Sequence, residues 1–134
     1  MTPVFADTSY YMALFNQDEI AHERALEFSR QTALPVVLTD FILLELANAL
    51  SRRESRRKFV ELLSYLRSNP VCRIVPVSKP LFEAGLLLYA QRQDKDWSLT
   101  DCISFVVMKR LRLTEALTAD RHFEQAGFKV LLKP

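Results

Sequence analysis

Val4-Phe5-Ala6-Asp7-Thr8-Ser9 runs from three apolar residues into a carboxylate and two hydroxyls, and Tyr10-Tyr11-Met12-Ala13-Leu14-Phe15 follows. The apolar triplet reads as a short buried strand ending at Asp7, and Thr8 and Ser9 offer cap chemistry for a helix through Phe15. A strand that ends on an acid and passes at once into a helix opens a strand–helix–strand pattern, and the rest of the chain keeps that alternation.

Working outward, residues from about 20 to 33 place Ala21, Ala25 and Phe28 on one side of a second helix, which Pro35 ends. Val36-Val37-Leu38-Thr39 is a second strand, and Asp40 is a plausible N-cap for the apolar helix that carries Glu45. Phe59, Leu62, Leu63 and Leu66 recur at helical spacing within 54–68. Pro70 precedes the strand Val71-Cys72-Arg73-Ile74-Val75, and residues 79–93 form another amphipathic helix. Gln93 to Asp96 reads as a loop, and a helix starts at Leu99-Thr100-Asp101 with Thr100 or Ser98 as cap. The strand Ala116-Leu117-Thr118, a short helix from Arg121 to Ala126 and a last strand over 128–132 complete the order. Short apolar strands alternating with helices mean a parallel sheet covered on both faces, in one domain spanning 1–134. In such sheets ligands bind beyond the carboxyl ends of the strands.

A hydrophobic fraction of 49% with 25% charged residues fits a globular chain with a real core. The first residues lack the pattern of a secretory signal, and no apolar run approaches the roughly 20 residues that span a bilayer. Cys72 and Cys102 have no nearby cysteine partner, which suits buried thiols in a reducing cytoplasm rather than a zinc site. The net charge of +2 is unevenly laid out. Residues 1–50 hold seven acids and two bases, a balance of −5, while 51–73 hold seven bases and two acids, a balance of +5. That asymmetry suits an anionic polymer led past an acidic centre.

Four acids stand against apolar runs: Asp7 after Val4-Phe5-Ala6, Glu45 within Phe41 to Ala47, Asp101 before Cys102 to Met108, and Asp120 after Ala116 to Ala119. A carboxylate beside a core costs several kcal/mol unless paired, hydrogen-bonded or bound to a metal. Two unit charges about 5 Å apart at an effective dielectric of about 20 repel by roughly 3 kcal/mol, so four together need cations or shared protons. Hard cations such as Mg²⁺ or Mn²⁺ prefer carboxylate oxygens, activate a water and stabilise charge on a phosphate. The pattern therefore points to metal-dependent phosphodiester hydrolysis. Taken singly, Asp7 and Asp120 also suit strand-end turns, and Asp101 suits a helix N-terminus.

The blocks Val-Phe-Ala-Asp7-Thr-Ser, Asp-Phe-Ile-Leu-Leu-Glu45-Leu-Ala-Asn48, Ser-Leu-Thr-Asp101-Cys-Ile-Ser-Phe and Leu-Thr-Ala-Asp120-Arg-His-Phe resemble the signature blocks of PIN-domain ribonucleases. A chain this short is most similar to the VapC-type toxins of toxin–antitoxin pairs. The resemblance implies a three-layer α/β/α sandwich with a central, mainly parallel sheet, dependence on Mg²⁺ or Mn²⁺, and endonucleolytic cleavage of RNA. It also implies a homodimer and an inhibiting antitoxin protein whose C-terminal segment enters the active-site groove. Carried over, Asp7 and Asp101 are the principal metal ligands, Glu45 completes the site directly or through water, and Asp120 is the more variable fourth acid.

Around those acids, Thr8, Ser9 and Thr100 could donate hydrogen bonds to the ligands, and Asn48 could orient a carboxylate or a water. Arg52, Arg53 and Arg56, with Arg57 and Lys58, form the densest basic run: an RNA-phosphate track, a docking site for an acidic segment, or a solvated face. Trp97 reads as core rather than as a platform for a base. Asp94 and Asp96 read as solvated loop acids, with contact to the metal shell as the alternative for Asp96. His22 and His122 have no triad partner and receive no catalytic role. Two other functions compete. A PIN-like module could hold RNA or a partner with little hydrolysis, although four intact acids argue against a pure scaffold. A phosphoacceptor domain needs adjacent acids after the first strand and a Lys after a late one, where this chain has Asp7 alone and Ala119-Asp120.

Overall fold

The computed structural model describes residues 1–133. Strands β1 (Val4–Ala6), β2 (Val36–Thr39), β3 (Cys72–Val75), β4 (Glu115–Leu117) and β5 (Lys129–Val130) form one sheet in the order β3-β2-β1-β4-β5, parallel throughout. The helices are α1 (Thr8–Phe15), α2 (His22–Ser29), α3 (Asp40–Ala49), α4 (Arg56–Ser68), α5 (Lys79–Gln91), α6 (Leu99–Arg110) and α7 (Arg121–Gln125). Right-handed crossovers send the helices of the β1-to-β3 half to one face and those of the β3-to-β5 half to the other. The sandwich is the three-layer fold that the sequence implies.

The chain leaves β1 for β2 and β3 on one side, then returns to β4 and β5 on the other. β1 and β4 are therefore neighbours whose exits diverge, and a crevice opens beyond their carboxyl ends. Phe5 pairs with Ala116 and Ala6 with Leu117, so Asp7 and Thr118 leave the sheet side by side.

Three local expectations change. Thr39, not Asp40, caps α3: its hydroxyl accepts the Ile42 N–H at 3.1 Å, while the Asp40 carboxylate accepts the Val77 N–H at 3.2 Å and ties α3 to the chain after β3. Thr8 and Ser9 do not cap α1, whose N-cap position is Asp7. The last strand has two residues rather than five: Leu131 and Leu132 bend and bury their side chains, while their N–H groups still donate to the Ala116 and Thr118 carbonyls.

The core is continuous across the sheet, and its aromatic centre is Phe105, edge-on to Trp97 at 5.0 Å and to Phe123 at 4.9 Å. Gly127, with φ of 96°, stops α7 in the left-handed conformation that glycine adopts freely. Phe128 thereby swings back to stand 5.7 Å from Phe105. α5 lies tight against α6 at Gly85, where an added Cβ would stand 2.3 Å from Ile103 Cγ1 and 3.2 Å from its backbone Cα. No helix among the described residues is long and apolar enough to cross a membrane.

Gly85→Ala should force those two helices apart and lower stability by about 1–3 kcal/mol, the usual cost of overpacking. Urea unfolding monitored by circular dichroism measures it, and an unchanged midpoint would show that the helix pair yields freely.

Candidate active site

Asp7 stands at the mouth of the crevice, 5% exposed. Ser9 Oγ and Thr118 Oγ1 both donate to its Oδ2, each at 2.9 Å, and lie 3.0 Å from each other. Oδ1 is left for the groove. Burial pushes the carboxyl up from 3.8 to about 6, against the lowering effect of the two hydroxyls, and Asp101 and Glu45 add repulsion. Asp101 and Glu45 are thus each within electrostatic reach of Asp7.

Asp101 is held by its own helix. Ser98 Oγ accepts the Asp101 N–H at 3.0 Å, and Asp101 Oδ2 accepts the Ser98 N–H at 3.4 Å, a reciprocal capping box that fixes the carboxylate at the start of α6. Burial, followed by the Asp120 charge, raises its pKa. Asp120 begins α7, where its Oδ1 accepts the His122 N–H at 2.9 Å. The His122 ring closes the arrangement: Nδ1 lies 3.2 Å from Asp101 Oδ2 and 3.3 Å from Asp120 Oδ1. The candidate ligand atoms of these three residues all lie within 4.8 Å of one another.

Glu45 differs from expectation. It is exposed, because α3 buries Ile42, Leu43 and Leu46 on one side and leaves Leu44 and Glu45 outside. It still reaches the site, since Thr8 Oγ1 donates to its Oε1. Asp7, Glu45, Asp101, Asp120 and His122 line one open groove of about 460 Å³, together with Thr8, Ser9 and Ser98. Glu19 and Asp96 line it too, so Asp96 is not simply a loop acid. Six carboxylates and a histidine face this groove, and no lysine or arginine does.

The structure therefore brings the four expected acids together, with Thr8 beside Glu45 and Ser9 beside Asp7. Thr100 and Asn48 stand outside the groove lining, since Ser98 takes the capping role and Asn48 points into solvent one turn beyond Glu45. The basic run also stays outside: Arg52 and Arg53 are exposed, and Arg56 donates to the Ser51 carbonyl at 2.8 Å. Thr118, Glu19 and the bridging place of His122 escaped sequence reasoning. The register of β4 against β1 is the signal that would have found Thr118. A donor set of carboxylate oxygens with one imidazole nitrogen, gathered where carboxylates resist ionisation, suits a hard divalent cation that would relieve their repulsion.

A parallel sheet with acids gathered at its switch point defines a recognised class, and residues 4–129 match the PIN domain family: the chain belongs to it. The 23S rRNA-specific endonuclease VapC20 of Mycobacterium tuberculosis is 28% identical over 125 residues, covering 93% of this chain and 95% of that protein. The crystal structure of that VapC20, a sarcin-ricin loop cleaving toxin, aligns with a TM-score of 0.84 over 98% of this chain and 99% of the other. FitAcB from Neisseria gonorrhoeae shares the fold, with a TM-score of 0.67 at 20% identity over 96% of each chain. So does a toxin–antitoxin complex from Klebsiella pneumoniae, with a TM-score of 0.58 at 20% identity over 88% of this chain and 87% of that one.

Because the Asp7 pKa is higher in the fold than in the open chain, the folded state binds the proton more tightly between the two values. Stability of the metal-free protein should be greatest at acid pH and fall as pH rises through about 6, by up to about 3 kcal/mol from this group. Calorimetry in EDTA should give a higher Tm at about pH 5 than at about pH 7.5, and Asp7→Asn should remove most of the difference. A Tm that rises with pH would contradict the placement.

Proposed function

We propose that this protein is a metal-dependent endoribonuclease, using Mg²⁺ or Mn²⁺, and the toxin of a toxin–antitoxin pair. The observation that carries the reading is the carboxylate-rich groove at the β1/β4 crevice, in which Asp7 and Asp101 are buried while Glu45 and Asp120 stand at the rim. Asp7, Asp101, Glu45 and Asp120 would hold the cation, with His122 adjacent. Bound there, the ion supplies positive charge to phosphate oxygens and makes a water acidic enough to attack near neutral pH.

The chain's own part is positioning. Ser9 and Thr118 lock one oxygen of Asp7, Ser98 locks Asp101 to the first turn of α6, and Thr8 anchors the longer, exposed Glu45. His122 spans Asp101 and Asp120, so those two carboxylates are held near each other by a group between them. Without lysine or arginine in the lining, the groove repels a phosphate until a cation is present, which makes RNA binding at this point metal-dependent.

Similarity to VapC20 over nearly the whole chain supports RNA as the substrate and makes the 23S rRNA sarcin-ricin loop the first target to try. An antitoxin partner is part of the same reading. A homodimer is supported by exposed Leu44, Phe82 and Leu86, on α3 and α5, where Phe41 and Phe82 face each other at 6.5 Å.

Purified protein should cut end-labelled structured RNA with Mg²⁺ or Mn²⁺ and not in EDTA, and Asp101→Asn should lose at least about a hundredfold in rate. Cutting that survives in Asp101→Asn, or in EDTA, would assign the activity to something other than this groove.

A further inference from the structure

On the far side of the wall formed by residues 96–98 and α7 lies a second concavity, of about 320 Å³. The two sites share that wall residue by residue. Asp96 and Ser98 face the acidic groove, and Trp97 between them faces the second pocket; on α7, Asp120 and His122 face the groove, while Gln125 lies in the pocket. Phe105 and Lys109 lie about 6 Å and 12 Å along α6 from Asp101, at 1.5 Å per residue. A strand seated in the groove can therefore reach the pocket with a neighbouring nucleotide.

The chemistry of the pocket is the reverse of the groove's. Leu88, Trp97, Phe105 and Val106 make apolar walls, Arg92, Lys109 and Arg110 are its charged members, and no carboxylate lines it. Lys109 and Arg110 make no ion pair among the described residues. Arg92 is fixed in a plane: Asp94 takes its Nε and Nη2 donors at 3.0 and 3.1 Å, and the guanidinium lies over the Trp97 ring, 4.9 Å from the centroid. The indole is fixed in turn, its Nε1–H donating to Gln125 Oε1 at 3.0 Å. The outer face of that guanidinium is a planar surface in a cationic, apolar-walled recess. Planar guanidinium stacks on bases, and cations without partners neutralise phosphates.

We propose that this pocket is a nucleotide subsite for the RNA strand cut in the acidic groove: one base rests on the outer face of Arg92, layered on Trp97, and adjoining phosphates meet Lys109 and Arg110. The proposal rests on the ribonuclease reading and adds where the strand is held. It also accounts for how an anionic polymer stays on a protein whose cutting groove has no lysine or arginine in its lining.

Trp97 is the single tryptophan of the chain, so its emission reports on the pocket without any cleavage. A short single-stranded oligoribonucleotide, titrated into the full chain in EDTA at low salt, should change that emission saturably. Arg92→Lys keeps the charge and loses the plane, and should weaken binding roughly tenfold, the scale of one stacked base. Lys109→Glu, at an exposed position that leaves the Arg92–Trp97 stack untouched, should weaken it and flatten its dependence on salt. Unchanged affinity in both variants would overturn the proposal. So would an unresponsive Trp97 in the wild type, or an equal response to an acidic peptide. Loss of RNA cleavage in the metal assay with this emission response intact would remove the nuclease reading and leave the pocket as an RNA-binding site.

Discussion

A buried carboxylate cannot be placed casually, and Asp7 is the constraint around which this molecule is arranged. Its neighbours supply hydroxyl donors rather than a counter-charge, and the Ser9 and Thr118 bonds fall on a single oxygen. Two neutral donors do not offset burial, so the carboxyl stays well above its ordinary range. That residual cost is tolerable because the strand exit of β1 lies beside that of β4, where the chain diverges and the remaining oxygen opens to a groove. The β1–β4 register, the position of Thr118 and the short exits of both strands all serve that one placement. Asp101, held by its capping box, brings a second buried acid to the same point from the opposite layer.

The two concavities are opposite in charge. The groove gathers carboxylates and would attract cations; the pocket behind it gathers guanidinium and ammonium groups over aromatic walls. A polyanion binding such a surface is repelled at the groove and attracted just beyond it. On the proposed reading, metal becomes a condition for productive binding as well as for chemistry. The wall between them is thin, built of Asp96, Trp97 and Ser98 with alternate side chains turned to opposite sides, and α7 extends it. The basic run after α3, although the densest in the chain, plays no part in lining either site.

Much of this is legible in the amino-acid sequence. Strand-like triplets ending in acids, separated by helical stretches, dictate a parallel sheet, and the four blocks around Asp7, Glu45, Asp101 and Asp120 converge as their positions imply. Thr39 displaced Asp40 as the cap of α3 because the carboxylate found the Val77 N–H, a contact between segments far apart in sequence. Glu45 looked enclosed because its helix is apolar in composition, yet α3 presents one side to the core and leaves Leu44, 58% exposed, on the other. His122 showed no triad partner, but its partners are two carboxylates drawn from different helices. Trp97 is core, as expected, although its neighbours in sequence are polar. What no local pattern encodes is that Arg92 lies across its ring, since that depends on how the loop after α5 folds back.

The central claim is that the acids of the β1/β4 crevice form a divalent-cation site, and Mn²⁺ binding followed by electron paramagnetic resonance tests it most directly. The account predicts saturable uptake of Mn²⁺ by the wild-type protein near neutral pH, competition by Mg²⁺, and loss of uptake in Asp7→Asn and in Asp101→Asn. Uptake that is absent, or that survives both substitutions, would contradict it.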